Sequence, residues 1–411
     1  MSIDRSNSPN SFKNIFRNPI FAGNIVGQGV NFLSFPIWLH FYSAENITDF
    51  GVFTAIASLM CIFLTLKIEN LVMTPGDSRY QSKYVSLAYT IIFYLTIPMY
   101  IVSLAITIFI PICNDFNPIV LTLYATLSAT VNVFLAWCVV ENRRKRIALY
   151  ALVRPVLSLI SVVFFGLATE DGEYFLLSQL IALLVTFLAI FSSSLKIEII
   201  GLRGLVGEIW GAKNVIFPYV IDGFIHGLAS NAIFLAVAWT SSPEVAALYF
   251  FADKVFQALS QVLIESERPI YLQRYLSLSS ADVAVELFKR IDFRIIKLGA
   301  LGFLISLTSI PYIAVINSWP QGLYLGILCN LFLLWFLKFY LIRYVSFAIV
   351  FKLPWYVLCQ SLLNLFTVTF AFSLQIKGNS VVPTLVLIVL TQYLAQIFLV
   401  LILKRFIGRV H

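Results

Sequence analysis

Residues 18–41 read NPIFAGNIVGQGVNFLSFPIWLHF. The stretch holds no Lys, Arg, Asp or Glu. It is long enough to cross roughly 30 Å of hydrocarbon as a helix, which takes about 20 mostly apolar residues. Inside it Asn24, Gln28 and Asn31 stand at i, i+4 and i+7, a single polar stripe on a helix otherwise suited to lipid. Eleven further runs of similar length follow, at residues 50–72, 85–110, 118–140, 148–167, 174–192, 215–239, 245–264, 295–316, 322–339, 346–372 and 381–403. Strands of a membrane barrel need only about ten residues and alternate in polarity, so unbroken runs of this length read as helices.

The whole chain agrees with its first span. Of 411 residues, 60% are hydrophobic and 12% charged, against about 45–50% and about 25% in soluble domains. The mean hydropathy is +0.90. A globule cannot hide that much apolar side chain, which excludes a soluble enzyme, a disordered chain and a secreted disulfide scaffold. Five cysteines (Cys61, Cys113, Cys138, Cys329 and Cys359) lie in or beside apolar runs without metal-type spacing.

Charge placement orients the spans. Of 28 Lys and Arg, 25 fall in the tails, loops and adjoining span ends on one side, which the positive-inside rule assigns to the cytoplasm. Only Lys377 falls in an opposite loop, while Arg154 and Lys254 lie inside spans, and Lys67, Lys297, Lys338 and Lys352 sit toward the inner ends of theirs. The net charge of +8 therefore reads as topology and not as a nucleic-acid surface. Both termini are expected in the cytoplasm, with no signal peptide ahead of the first span. The expected architecture is an all-α integral membrane protein of about twelve transmembrane helices, in two parallel six-helix bundles around a central cleft. Its parts are a tail at 1–17, a bundle at 18–192, a linker at 193–213, a bundle at 214–404 and a tail at 405–411.

Two short matches at one offset support the two bundles. Arg17-Asn18-Pro19-Ile20-Phe21 pairs with Lys213-Asn214-Val215-Ile216-Phe217, and Ile68-Glu69-Asn70 with Ile264-Glu265-Ser266, both 196 residues apart. Six spans between copies give the halves equal orientation and place a substrate path between them.

The outer loops are too short to fold into a domain that would hold a donor and an acceptor sugar. The longest inner loop, residues 271–294, reads as an amphipathic helix at the interface. Neither GxxxxGK[ST] nor HExxH occurs. No enzymatic activity, metal or cofactor is expected, and movement of a solute is the leading reading.

Polar groups in mid-span cost at least about 2.5–3.5 kcal/mol when charged, so they face protein or a wet cavity. The seventh span carries Asp222 and His226 at i, i+4, with Asn231 beyond, and the eighth carries Asp253, Lys254, Gln257 and Gln261. Arg154 lies in the fifth. With Asn24, Gln28 and Asn31 these form the expected substrate cavity, and Lys67, Glu69 and Glu265 an inner gate. Single amides elsewhere, such as Asn132 and Asn330, read as glue between helices.

The residues Ser34-Phe35-Pro36-Ile37-Trp38 through Phe41-Tyr42-Ser43, then Asp49-Phe50-Gly51-Val52-Phe53, resemble the first two helices of bacterial polysaccharide exporters. Lys67-Ile68-Glu69, Phe217-Pro218-Tyr219 and Ala246-Ala247-Leu248-Tyr249 fit the same pattern. The resemblance is to O-antigen flippases (Wzx type) of the multidrug/oligosaccharidyl-lipid/polysaccharide exporter superfamily. His40 departs from it, standing where an Arg is commoner. The resemblance implies alternating access in a bacterial inner membrane, carrying an undecaprenyl-pyrophosphate-linked oligosaccharide to the periplasmic leaflet. Implied partners are that lipid-linked oligosaccharide, membrane lipids, a coupling ion (proton or sodium), a polysaccharide polymerase and a chain-length regulator. A small-molecule or multidrug antiporter of the same superfamily is the alternative, and a membrane glycosyl transferase or polymerase a third reading.

Overall fold

The computed structural model describes residues 19–72, 78–141, 143–169, 172–191, 197–254, 256, 325–337, 344, 354–375 and 381–410. In chain order the helices are α1 (Pro19–Phe41), α2 (Ala44–Thr65), α3 (Ile68–Val72), α4 (Ser78–Phe109), α5 (Pro118–Val140), α6 (Arg144–Gly166), α7 (Gly172–Ile190), α8 (Leu202–Gly211) and α9 (Lys213–Thr240). Then come α10 (residues 243–254), α11 (Leu325–Leu337), α12 (Pro354–Gln375) and α13 (Val381–Val410). Among the described residues, seven helices are long and apolar enough to cross a membrane, and two shorter apolar ones accompany them.

Local chemistry sets the boundaries. Ser43 Oγ accepts the Asn46 amide at 3.2 Å and starts α2. Asn117 Oδ1 accepts the Ile119 amide at 3.0 Å, with Pro118 at the first helical position of α5, where a missing N–H costs nothing. The expected span at 50–72 is not one helix. Leu66 (φ 46°) and Lys67 (φ 55°) are both left-handed, a conformation that strains non-glycine residues by about 1–3 kcal/mol each. This break separates α2 from α3 and turns Lys67 sideways. The linker expected at 193–213 contains a helix of its own, α8. The amphipathic helix expected near 271–294 lies outside the described residues.

Small residues fix the first bundle. A Cβ on Gly23 would stand 2.7 Å from the carbonyl oxygen of Ala148, and one on Gly27 would overlap that of Ala151. Only glycine lets α1 approach the α6 backbone so closely. Asn24 and Gln28 each follow one of these glycines and so face about 100° round the helix from the packed line.

The bundles meet along α2 and α9, which run antiparallel. Thr48 Oγ1 donates to the Pro243 carbonyl at 2.9 Å. Gly51 makes room for Phe234 and Phe250, Gly227 for Leu59 and Ile62, and Gly223 for the stem of Lys67. Phe63 and Phe224 lie with centroids 5.0 Å apart.

Candidate functional site

Two intramembrane cations from opposite bundles lie within electrostatic reach of each other. Arg154, on α6, donates through Nη1 to Tyr150 Oη at 2.7 Å and through Nη2 to Tyr124 Oη at 3.2 Å. Lys254, on α10, holds Nζ 5.2 Å from the centroid of the Phe250 ring and is exposed. The charges that act on Lys254 are Asp253 and, from the other bundle, Arg154.

Around this pair the predicted residues divide. Asn31 Nδ2 donates to Gln28 Oε1 at 3.3 Å on an accessible face of α1, and Asn24 is half-buried one turn before. Asp222 accepts from Ser361 Oγ of α12 at 3.1 Å and is within electrostatic reach of Lys67. His226 is exposed one turn further along α9. Asn231 is spoken for: its Nδ2 donates to Ser58 Oγ at 3.0 Å and to the Gly227 carbonyl at 2.8 Å, so it ties the bundles together. Gln257, Gln261 and Glu265 lie outside the described residues.

The expected gate residues also meet. Lys67 Nζ stands 3.5 Å from Glu69 Oε1, while Glu69 Oε2 is buried without a partner. The left-handed turn thus places one ammonium beside Glu69 of its own bundle and within electrostatic reach of Asp222 of the other. No group of His, Cys, Asp and Glu suited to a metal ion occurs among the described residues.

At the end away from the basic loops, rings from both bundles pack across the seam. Phe35 and Phe251 stack with centroids 3.9 Å apart, Phe50 and Phe250 meet edge-on at 6.0 Å, and Phe234 lies 5.3 Å from Phe250. Trp38 packs edge-on to Phe50 and Phe175 at 5.8 and 5.3 Å. Sequence reasoning passed over this seal and the two phenols that hold Arg154. Tyr150 was detectable, since it stands at i−4 from Arg154 on one helix. Tyr124 and the rings from separate helices come together only in the fold.

This arrangement of bundles has solved counterparts. A multidrug resistance MATE family transporter of the MOP superfamily, in an inward-facing conformation, superposes with a TM-score of 0.57 at 13% identity, over 93% of this chain and 96% of that one. The chain has the fold of the MATE transporters. The MATE multidrug transporter DinF-BH, solved as a complex, gives a TM-score of 0.56 at 13% identity, covering 98% and 97% of the two chains. An outward-facing MATE transporter of the MOP superfamily gives 0.50 at 12% identity, covering 97% and 96%. No protein-family model and no curated protein matches the sequence. The MATE fold accounts for about twelve membrane helices in two like-oriented bundles, and makes the chain a multi-pass membrane protein.

Proposed function

We propose that the chain is a transporter that moves an organic solute by alternating access, with the cargo held between the two bundles. One observation carries this reading: Arg154 and Lys254, intramembrane cations of opposite bundles, lie within electrostatic reach of each other, and the stacked rings of Phe35 and Phe251 join the bundles one turn beyond Lys254. A polar chamber shut at one end by a seal that only side-chain contacts maintain is what a cargo site needs. Asp222, between Lys67 and Ser361, is the candidate carrier of a coupling proton or sodium ion. The basic end faces the cytoplasm of a bacterial inner membrane in this reading.

Two cargoes compete. A small-molecule antiporter is the better supported, because the similar structures are described as multidrug transporters, one of them solved as a complex. Flipping of a lipid-linked oligosaccharide is favoured by one detail of the site. Arg154 is held by phenols and makes no ion pair with a carboxylate among the described residues, so its charge stays available to a pyrophosphate.

The test is reconstitution of the purified chain into sealed vesicles. Movement of a fluorescent organic cation and of a pyrophosphate-linked lipid sugar would be followed with and without proton or sodium gradients. Transport of either cargo, slowed at least tenfold by Arg154→Gln or Lys254→Gln, is the expected result. Failure of both cargoes to move under any gradient contradicts the reading.

A further inference from the structure

The linker between the bundles carries an apolar face that the transport reading leaves unused. On α8, Leu205 is buried and Ile209 half-buried against the first bundle, whereas Leu202, Val206 and Trp210 are 59%, 58% and 64% exposed. Those three follow one another every four residues, and Ile199 just before the helix is 61% exposed as well. The opposite side is nearly bare. A Cβ on Gly207 or Gly211 would meet nothing within 4 Å.

Both ends of this segment are tied to membrane-spanning helices. The amides of Glu198 and Ile200 donate to Ser86 Oγ at 3.2 Å and Thr90 Oγ1 at 3.1 Å, and Glu208 pairs with Lys83 at 2.8 Å. All three partners lie in the first turns of α4, whose apolar span begins at Ser82. At 1.5 Å per residue, Thr90 is about 12 Å into that span. At the other end only Ala212 separates α8 from α9, whose span starts at Ile216. Lys213 at this junction lays Nζ 4.3 Å from the Trp210 ring centroid, leaving its charge beside an aromatic of the kind that sits at headgroup level.

We propose that α8 is an in-plane membrane helix whose Leu202–Val206–Trp210 stripe docks into the lipid leaflet at the basic end. Arg203 and Lys213 are placed for its headgroup phosphates, and the glycine side faces water. An apolar stripe beside the first turns of a spanning helix meets acyl chains there, and cations at its border match an anionic headgroup layer. The strap joining the bundles is then held by lipid on one side and by α4 on the other.

The test uses the full chain in nanodiscs containing phosphatidylglycerol, one copy per disc, with the native cysteines replaced. Single substitutions Leu202→Cys, Val206→Cys, Gly207→Cys and Gly211→Cys are labelled with a charged maleimide. The proposal expects the glycine positions to react at least tenfold faster than the other two. Equal rates overturn it, as does protection of residues 202 and 206 only in discs holding two copies, which would make the stripe a contact between chains. A second measurement needs no cysteine variant: brominated lipid should quench the native chain more than Trp210→Phe, and equal quenching overturns the proposal.

Discussion

Arg154 gives N–H groups to Tyr150 and Tyr124, and its guanidinium lies within electrostatic reach of Lys254. Hydrogen bonds between membrane helices contribute about 0.6 kcal/mol on average. Tyr124→Phe should therefore lower thermal stability in detergent slightly while loosening the guanidinium, so that cargo affinity falls more than the melting temperature does. Glycine positions give a sharper contrast. Gly27→Ala drives a Cβ into the Ala151 carbonyl, a backbone atom that cannot swing aside, and should cost about 1–3 kcal/mol. Gly29→Ala, with nothing within 4 Å, should leave the unfolding midpoint unchanged or raise it. The stripe Asn24, Gln28 and Asn31 was legible at this scale because helical spacing alone defines it. The role of Asn231 as a tie to Ser58 was not, since an amide on a helix face looks the same whether its partner is cargo or a neighbouring hydroxyl.

Between elements, α2 and the turn that follows it are held to α9 and α10 by Thr48 on Pro243, Ser58 on Asn231 and Lys67 against Gly223. Lys67 belongs to an element boundary that hydropathy could not reveal. The run through residue 72 stays apolar, and only the two left-handed residues show that the helix stops and restarts. Lys67→Ala keeps that turn but leaves Glu69 and Asp222 without their shared cation. It should destabilise the detergent-solubilised protein by about 1–3 kcal/mol, whereas Lys67→Arg should recover most of the loss. Thermal unfolding of the two variants side by side checks this. Ser58→Ala should weaken the same seam by about 0.6 kcal/mol, read in the same assay.

At the scale of the whole molecule, the twelve spans and two like-oriented halves were open to reading because lipid imposes length and the basic loops impose alternation. Short matches 196 residues apart, at Arg17–Phe21 and Lys213–Phe217, added the repeat. What the rings do was hidden: Phe35, Phe50, Phe175, Phe234, Phe250 and Phe251 look like ordinary lipid-facing residues until six positions from five helices converge. The two transporter expectations rested on one superfamily. Alternating access requires the ring seal to open. The direct measurement joins Phe35→Cys to Phe251→Cys with a short cleavable bis-thiol reagent in a chain lacking its native cysteines, then follows cargo movement in sealed vesicles. Transport that stops on cross-linking and returns when the linker is cut is the predicted result; transport that continues with the two positions joined would contradict a path between the bundles.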